Sequence, residues 1–229
     1  MLGISNMSDS QLEVPERSGG DVAHALAKAG LSAIPIVGGP AVELFQFVVQ
    51  PPLERRREKW MAEIGEKLRK LEDQGVNLES LQSDEKFISA VMHASQIAIR
   101  THVPAKLEAL RNAVLNVATR QAPEEAVQHM FFDFIDSLSE LHIRILIVFQ
   151  SPNISPNINM GALSNVLESN IPELRGRRNI YDQFWRDLFS RGLVNTEGLH
   201  VMMTGQGLAS KRTTSLGDDF LSFIMSGQT

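Results

Sequence analysis

The side chains of this chain best suited to recognition are arginines and amides grouped near one helical start. Arg175, Arg177, Arg178 and Asn179 fall at or before that start, Gln183 and Arg186 follow on the face expected to be exposed, and Lys211 with Arg212 come later. Guanidinium groups grip phosphate, guanine or carboxylate through paired N–H donors, and amides match adenine. Catalytic signals are weaker. His24, His93, His102, His129, His142 and His200 are scattered, and only His129 with Asp133 has the spacing that sets two metal ligands on one helix face. A lone pair of that kind reads as an ordinary solvated contact. Gly38-Gly39-Pro40 lacks the lysine and serine of a phosphate loop, and no serine sits in a nucleophile elbow. The chain is therefore expected to be non-enzymatic, with no metal, cofactor or small-molecule substrate.

Composition narrows the setting. The chain has 229 residues, 43% hydrophobic, enough for a sizeable core without staples. It has no cysteine, which excludes disulfides, thiolate nucleophiles and zinc sites built on sulfur, and agrees with a reducing cytoplasm. The formal net charge of −5 means that any contact with nucleic acid must be local rather than driven by the whole molecule's field. Residues 1–20 are polar, without the basic and apolar regions of a secretory signal, and read as a disordered leader.

Helix signals dominate residues 21–138, read as a helical bundle. Asp21 can cap a first apolar helix, Pro35 to Pro40 break it, and a second runs from Ala41 to Val49, which makes a hairpin. Pro51 and Pro52 are expected to end that helix and start the next. Leu53, Trp60, Ile64, Leu68 and Leu71 then form one stripe, with Glu63/Lys67 and Glu66/Lys70 spaced four apart on the solvated side. Gly75 to Asn77 close this helix, and Asn77 or Ser83 can cap the next. Further helices follow from Pro104 and from Pro123-Glu124-Glu125. Trp60, Trp185 and Phe184 read as core or packing aromatics.

Residues 139–229 show a different order: helix (His142 to Phe149), a loop at Ser151 to Asn157, helix (Met160 to Ser169), helix (Arg178 to Arg191), two strands, helix (Leu216 to Ile224). Leu188-Phe-Ser-Arg-Gly192-Leu-Val would close the third helix, with Gly192 left-handed and Leu193 and Val194 returning to the core. Leu199 to Met203 and Leu208 to Arg212 are expected to form a hairpin turned by Gly205 and Gly207. Thr213 or Thr214 can cap the last helix. This segment resembles the winged-helix superfamily in its order of elements, in "LxxxGLV" and in "TxxGxxFLxFI". The whole is thus expected to be mainly α, an N-terminal helical bundle followed by a winged-helix-like module with one short β-hairpin. Residues 21–138 resemble helical N-terminal regions of bacterial proteins that join an apolar hairpin, "IPIVGGP", to a long charged helix, a resemblance without a function attached.

The winged-helix resemblance implies a recognition surface at the third helix and the wing, for DNA or for a protein. From Ile171 to Thr229, seven lysines and arginines stand against six carboxylates, a balance better suited to a protein partner. Convergence of the Arg177/Arg178 edge with Lys211/Arg212 would favour DNA, whereas neutralisation by Asp182 or Asp187 would favour protein. The apolar hairpin is read first as buried core. The uncharged stretch between Lys28 and Glu43 falls short of the roughly 20 residues that span a bilayer, and the alternative function is a membrane-active effector that inserts this hairpin when activated.

Overall fold

The computed structural model describes residues 40–154 and 160–225. Residues Met1–Phe45 and Gln46–Thr229 form two separate compact units, and the description below concerns the second. The leader and the first helix of the expected apolar hairpin lie outside the described residues.

Among the described residues the fold is mainly helical, with ten α-helices and one two-stranded sheet. The first helix corrects an expectation: Pro51 and Pro52 do not divide it, and α1 runs unbroken over Pro40–Asp73. Each proline removes a backbone donor, so the carbonyls of Phe47 and Val48 lose their helical partners. Those turns stand in water, which can supply the missing hydrogen bonds: Phe47 is 81% exposed and Val48 58%. The expected burial of this apolar stretch does not hold at either residue. Further on, α1 turns Trp60 and Ile64 into the core, and the Trp60 indole donates to Ser95 Oγ at 2.9 Å. Glu63 pairs across to Arg111 at 2.5 Å, and Glu66 pairs with Arg69 at 3.0 Å.

Asn77 caps the short α2 (Leu78–Gln82), and Asp84, not Ser83, caps α3 (Glu85–Arg100) by accepting from the N–H groups of Lys86 and Phe87. A carboxylate there satisfies two orphan donors and complements the helix dipole. α4 (Pro104–Ala118) starts on Pro104, and α5 (Glu125–Ser137) and α6 (Glu140–Gln150) follow. α4 packs against α3, α5 and the last helix.

Beyond α6 the chain forms β1 (Met160–Ala162), α7 (Leu163–Asn170), a 3-10 turn (Pro172–Leu174) and α8 (Arg178–Ser190). Gly192 takes φ +72° after α8, and Leu193 and Val194 are buried, as their order predicts. The hairpin does not form. β2 (Met202–Thr204) pairs antiparallel with β1, Met160 opposite Thr204 and Ala162 opposite Met202. Residues Gly205–Ala209 form a short helix, α9, because Thr204 Oγ1 accepts the Gly207 N–H and so offers a helix cap in place of a turn. Neither Gly205 nor Gly207 takes the positive φ that a tight hairpin needs.

Thr214 caps α10 (Ser215–Ile224), whose Phe220 and Phe223 meet Phe131 at ring distances of 5.4 and 5.5 Å. One hydrophobic core runs from Trp60 to Ile224. At the end of α10, buried Asn116 donates to the carbonyls of Phe223 (2.8 Å) and Ser222 (3.2 Å), and Asn112 donates to that of Ile224 (3.0 Å). At its start, Gly217 lies against Leu193, whose carbonyl oxygen would be 2.3 Å from a Cβ at that position.

Two substitutions test this closure by urea unfolding. Asn116→Ala leaves buried carbonyls without donors and is expected to destabilise the fold by about 1–3 kcal/mol, whereas the same change at exposed Asn195 should stay within about 0.5 kcal/mol. Gly217→Ala presses a methyl onto backbone that cannot yield without moving α10, and a loss of about 2 kcal/mol is expected.

Candidate protein-interaction site

The expected recognition residues are brought to the surface along the start of α8. Arg175, Arg177, Arg178, Asn179, Gln183 and Arg186 are all exposed. Gly176, at φ +73°, turns the chain between the first two arginines. Several of these side chains are engaged within the helix. Arg178 Nε lies 3.4 Å from Asp182 Oδ2, Gln183 donates to Asp187 at 2.7 Å, and Arg186 donates to Gln183 at 2.8 Å.

Lys211 and Arg212 are engaged elsewhere. Lys211 pairs with Asp218 of α10; partial burial of that carboxyl opposes ionisation, yet hydrogen bonds from Lys211, Thr213 and Gln150 hold its pKa below the ordinary value. The Arg212 guanidinium folds onto the Gly207 carbonyl and lies 3.3 Å from Met203 Sδ, and its Nε is buried without an acceptor. Arg212 therefore holds its own turn together.

The carboxylates on α8 reach further. Asp182 also meets His200 Nε2 at 2.7 Å, which ties the chain leading into β2 to the arginine edge. Just beyond His200 stands a feature that sequence reasoning missed: Val201 and Met202 are 59% and 61% exposed, and Met160 on β1 is 66% exposed. With side chains alternating along a strand, the observed register puts Met160 and Met202 on one face of the sheet and Met203 on the other. The run Leu199 to Met203 did signal a strand. Its partner, three residues beyond a Pro/Asn-rich loop and opening a helix, carried no strand pattern of its own.

A second arrangement looks like catalysis and is not built for it. Ser139 Oγ lies 2.8 Å from His142 Nδ1, and His142 Nε2 lies 3.4 Å from Asp187 Oδ2. The backbone N–H of Ser139 also donates to Nδ1 at 3.0 Å. That bond occupies the lone pair a general base would use, and leaves the proton on Nε2, toward Asp187. His142 acts as the third helical residue whose side chain returns to the N-cap of α6. It is buried against Phe184, with ring centroids 4.5 Å apart.

Asp133, expected beside His129, instead faces His93 of α3 at 3.6 Å, with the His93 and His129 rings 5.4 Å apart. No group of three candidate metal ligands occurs among the described residues. A cleft of about 390 Å³ along α1 and α4 is lined by charged side chains of both signs, including Glu63, Lys67, Glu108 and Arg111. No family model, curated protein or solved structure matches the chain.

Burial lowers the pKa of His142 and of His93 below the ordinary 6.5, against the opposing pull of Asp187 and Asp133. As pH falls below 6.5 the unfolded chain takes up these protons before the folded chain does, so their contribution to stability is present above 6.5 and is lost on acidification. His142→Gln keeps an acceptor for the Ser139 N–H and removes the titration. Thermal melts of this variant should show a smaller loss of stability between neutral pH and about pH 5 than the parent; an identical slope would overturn the assignment.

Proposed function

We propose that this chain is a non-enzymatic interaction protein that recognises a protein partner, rather than DNA, through the face formed by the start of α8 and the β1–β2 sheet. The order of elements after residue 139, a helix, a short strand, two helices and a strand antiparallel to the first, supports reading this segment as winged-helix-like. The wing differs from the expected one in being a short helix after β2.

One observation carries the choice of partner: much of the positive charge of this face is engaged within the protein, while its apolar side chains are left in water. Asp182 pairs with Arg178, Asp187 accepts from Gln183, Asp218 holds Lys211, and Arg212 turns inward onto a backbone carbonyl. A phosphate backbone rewards a surplus of positive charge, which is not offered here. Exposed Met160, Val201 and Met202, joined through the His200–Asp182 contact to the edge that carries Arg178, supply the mixed apolar and basic character that protein interfaces use, with methionine adapting to irregular surfaces and arginine supplying paired donors.

Magnitudes set the terms. Covering the three apolar side chains gains about 1–2 kcal/mol each, against an association penalty of at least about 4 kcal/mol. The apolar patch alone would give a weak complex. A lasting one needs carboxylates on the partner to meet Arg175 and Arg177.

The test has two arms. Random duplex DNA at low salt should show no retardation in an electrophoretic assay, and a shift that weakens steeply with added salt would overturn the choice of protein. A photo-crosslinking residue at Val201 should trap a discrete polypeptide in cells, with trapping lost on Arg175→Glu/Arg177→Glu and absent from a crosslinker at Arg120. Equal trapping from both positions would refute the assigned face.

A further inference from the structure

The first turns of α1 expose apolar side chains in line with arginines. Phe47 and Val48 are largely in water, on the same helix that buries Trp60 and Ile64. At 100° per residue, Val48, Pro51, Arg55 and Lys59 fall on one face, opposite the face that carries Trp60 and Ile64, whereas Phe47 lies on the adjoining side in line with Glu54 and Glu58. Val48, Pro51, Arg55 and Lys59 are exposed, as is Arg56 beside them. The exposed face thus changes from apolar to basic over three turns. Residues 54–59 read Glu-Arg-Arg-Arg-Glu-Lys, four cations to two carboxylates, in a chain whose net charge is −5.

Exposed Val48 in line with Arg55 and Lys59, with Phe47 flanking it, fits the boundary of a lipid bilayer, where apolar groups enter the acyl region and basic groups meet anionic headgroups. A protein core would accept the apolar groups but has no use for Arg55 and Lys59 on the same face as Val48. Water accepts the basic groups but not the apolar ones. No described helix is long and apolar enough to cross a membrane, so the contact would be peripheral. We infer that the Val48–Lys59 face of α1 docks on the surface of a bilayer rich in anionic lipid. This reading is independent of the protein-binding face of α8.

Flotation of the full chain with vesicles tests it. Binding is expected to vesicles of equal parts phosphatidylglycerol and phosphatidylcholine, not to phosphatidylcholine alone, and should weaken as salt screens the arginines. Arg55→Glu/Lys59→Glu should reduce partitioning at least about tenfold, because each basic residue near such a surface contributes about fivefold. Phe47→Ser should also weaken it, and Phe47→Trp should give a blue-shifted emission only when anionic vesicles are present. All three sites are exposed, so melting temperatures should match the parent and a loss of binding cannot be ascribed to misfolding. The inference is overturned if the full chain does not float with anionic vesicles or if flotation ignores these substitutions. It is equally overturned if the indole of the Phe47→Trp variant is already shielded from acrylamide without lipid, because the chain itself or a second copy then covers this face.

Discussion

The fold depends on how the last helix ends. The final carbonyls of any α-helix lack intrahelical donors, and α10 finishes without a basic residue in its last turn. Its end is nevertheless packed into the core, with Phe223 and Ile224 buried. Asn112 and Asn116 resolve the conflict by carrying amide donors from α4 to those carbonyls, across more than a hundred residues of sequence. The two asparagines lie one helical turn apart, on the face α4 turns toward α10, and are themselves 5% and 7% exposed. Donor and acceptor thus desolvate together, which is the condition under which buried polar groups stabilise rather than destabilise.

That anchorage propagates to the surface. With α10 fixed, the close approach of Gly217 to the Leu193 carbonyl sets where the segment after α8 crosses the start of α10, and a bridge between Val194 and Thr213 pins the two strands of chain there. Asp218, on the first turn of α10, then holds Lys211 and accepts from the Thr213 hydroxyl at 2.7 Å. The basic pair that would have formed the tip of a wing is drawn onto the body of the protein. What remains for a partner at this end is the β1–β2 sheet and the arginines ahead of α8, so packing in the interior decides which charges the exterior can offer.

Much of the helical order was legible because it rests on local chemistry. Pro104 at the first turn of α4, Thr214 before α10 and Gly192 after α8 act within a few residues of themselves, and the structure places each where its type requires. The failures were non-local. β1 is three residues long and signals nothing until β2 meets it, so sequence alone points the strand at Met202 toward the nearest run, Leu208 to Arg212. Pro51 and Pro52 stop a helix whose carbonyls must be satisfied by protein, but not one whose turns are solvated, and exposure is a property of the whole fold. The asparagines of α4 were silent for the same reason: an amide in a helix reads as surface until the element it serves is known. Among the recognition residues, position along α8 was readable, whereas engagement by Asp182, Asp187 and Asp218 was only partly so, since two of those carboxylates are four residues from their partners and the third is seven.

The two exposed surfaces obey one constraint. A chain of net charge −5 is repelled at long range by phosphate polymers and anionic bilayers alike, and at physiological salt each arginine acts only within about 8 Å. Attraction must therefore begin at contact. Both proposed faces would meet this requirement in the same way, combining exposed apolar side chains with arginines: Met160, Val201 and Met202 with the edge of α8 reached through His200 and Asp182, and Val48 ahead of Arg55. Apolar burial then supplies the free energy while the arginines select which contact persists, because a neutral or basic counterpart would leave guanidinium groups desolvated without carboxylate or phosphate to answer them. A strongly basic protein could bind first and sort later; on the reading proposed, this one would sort as it binds.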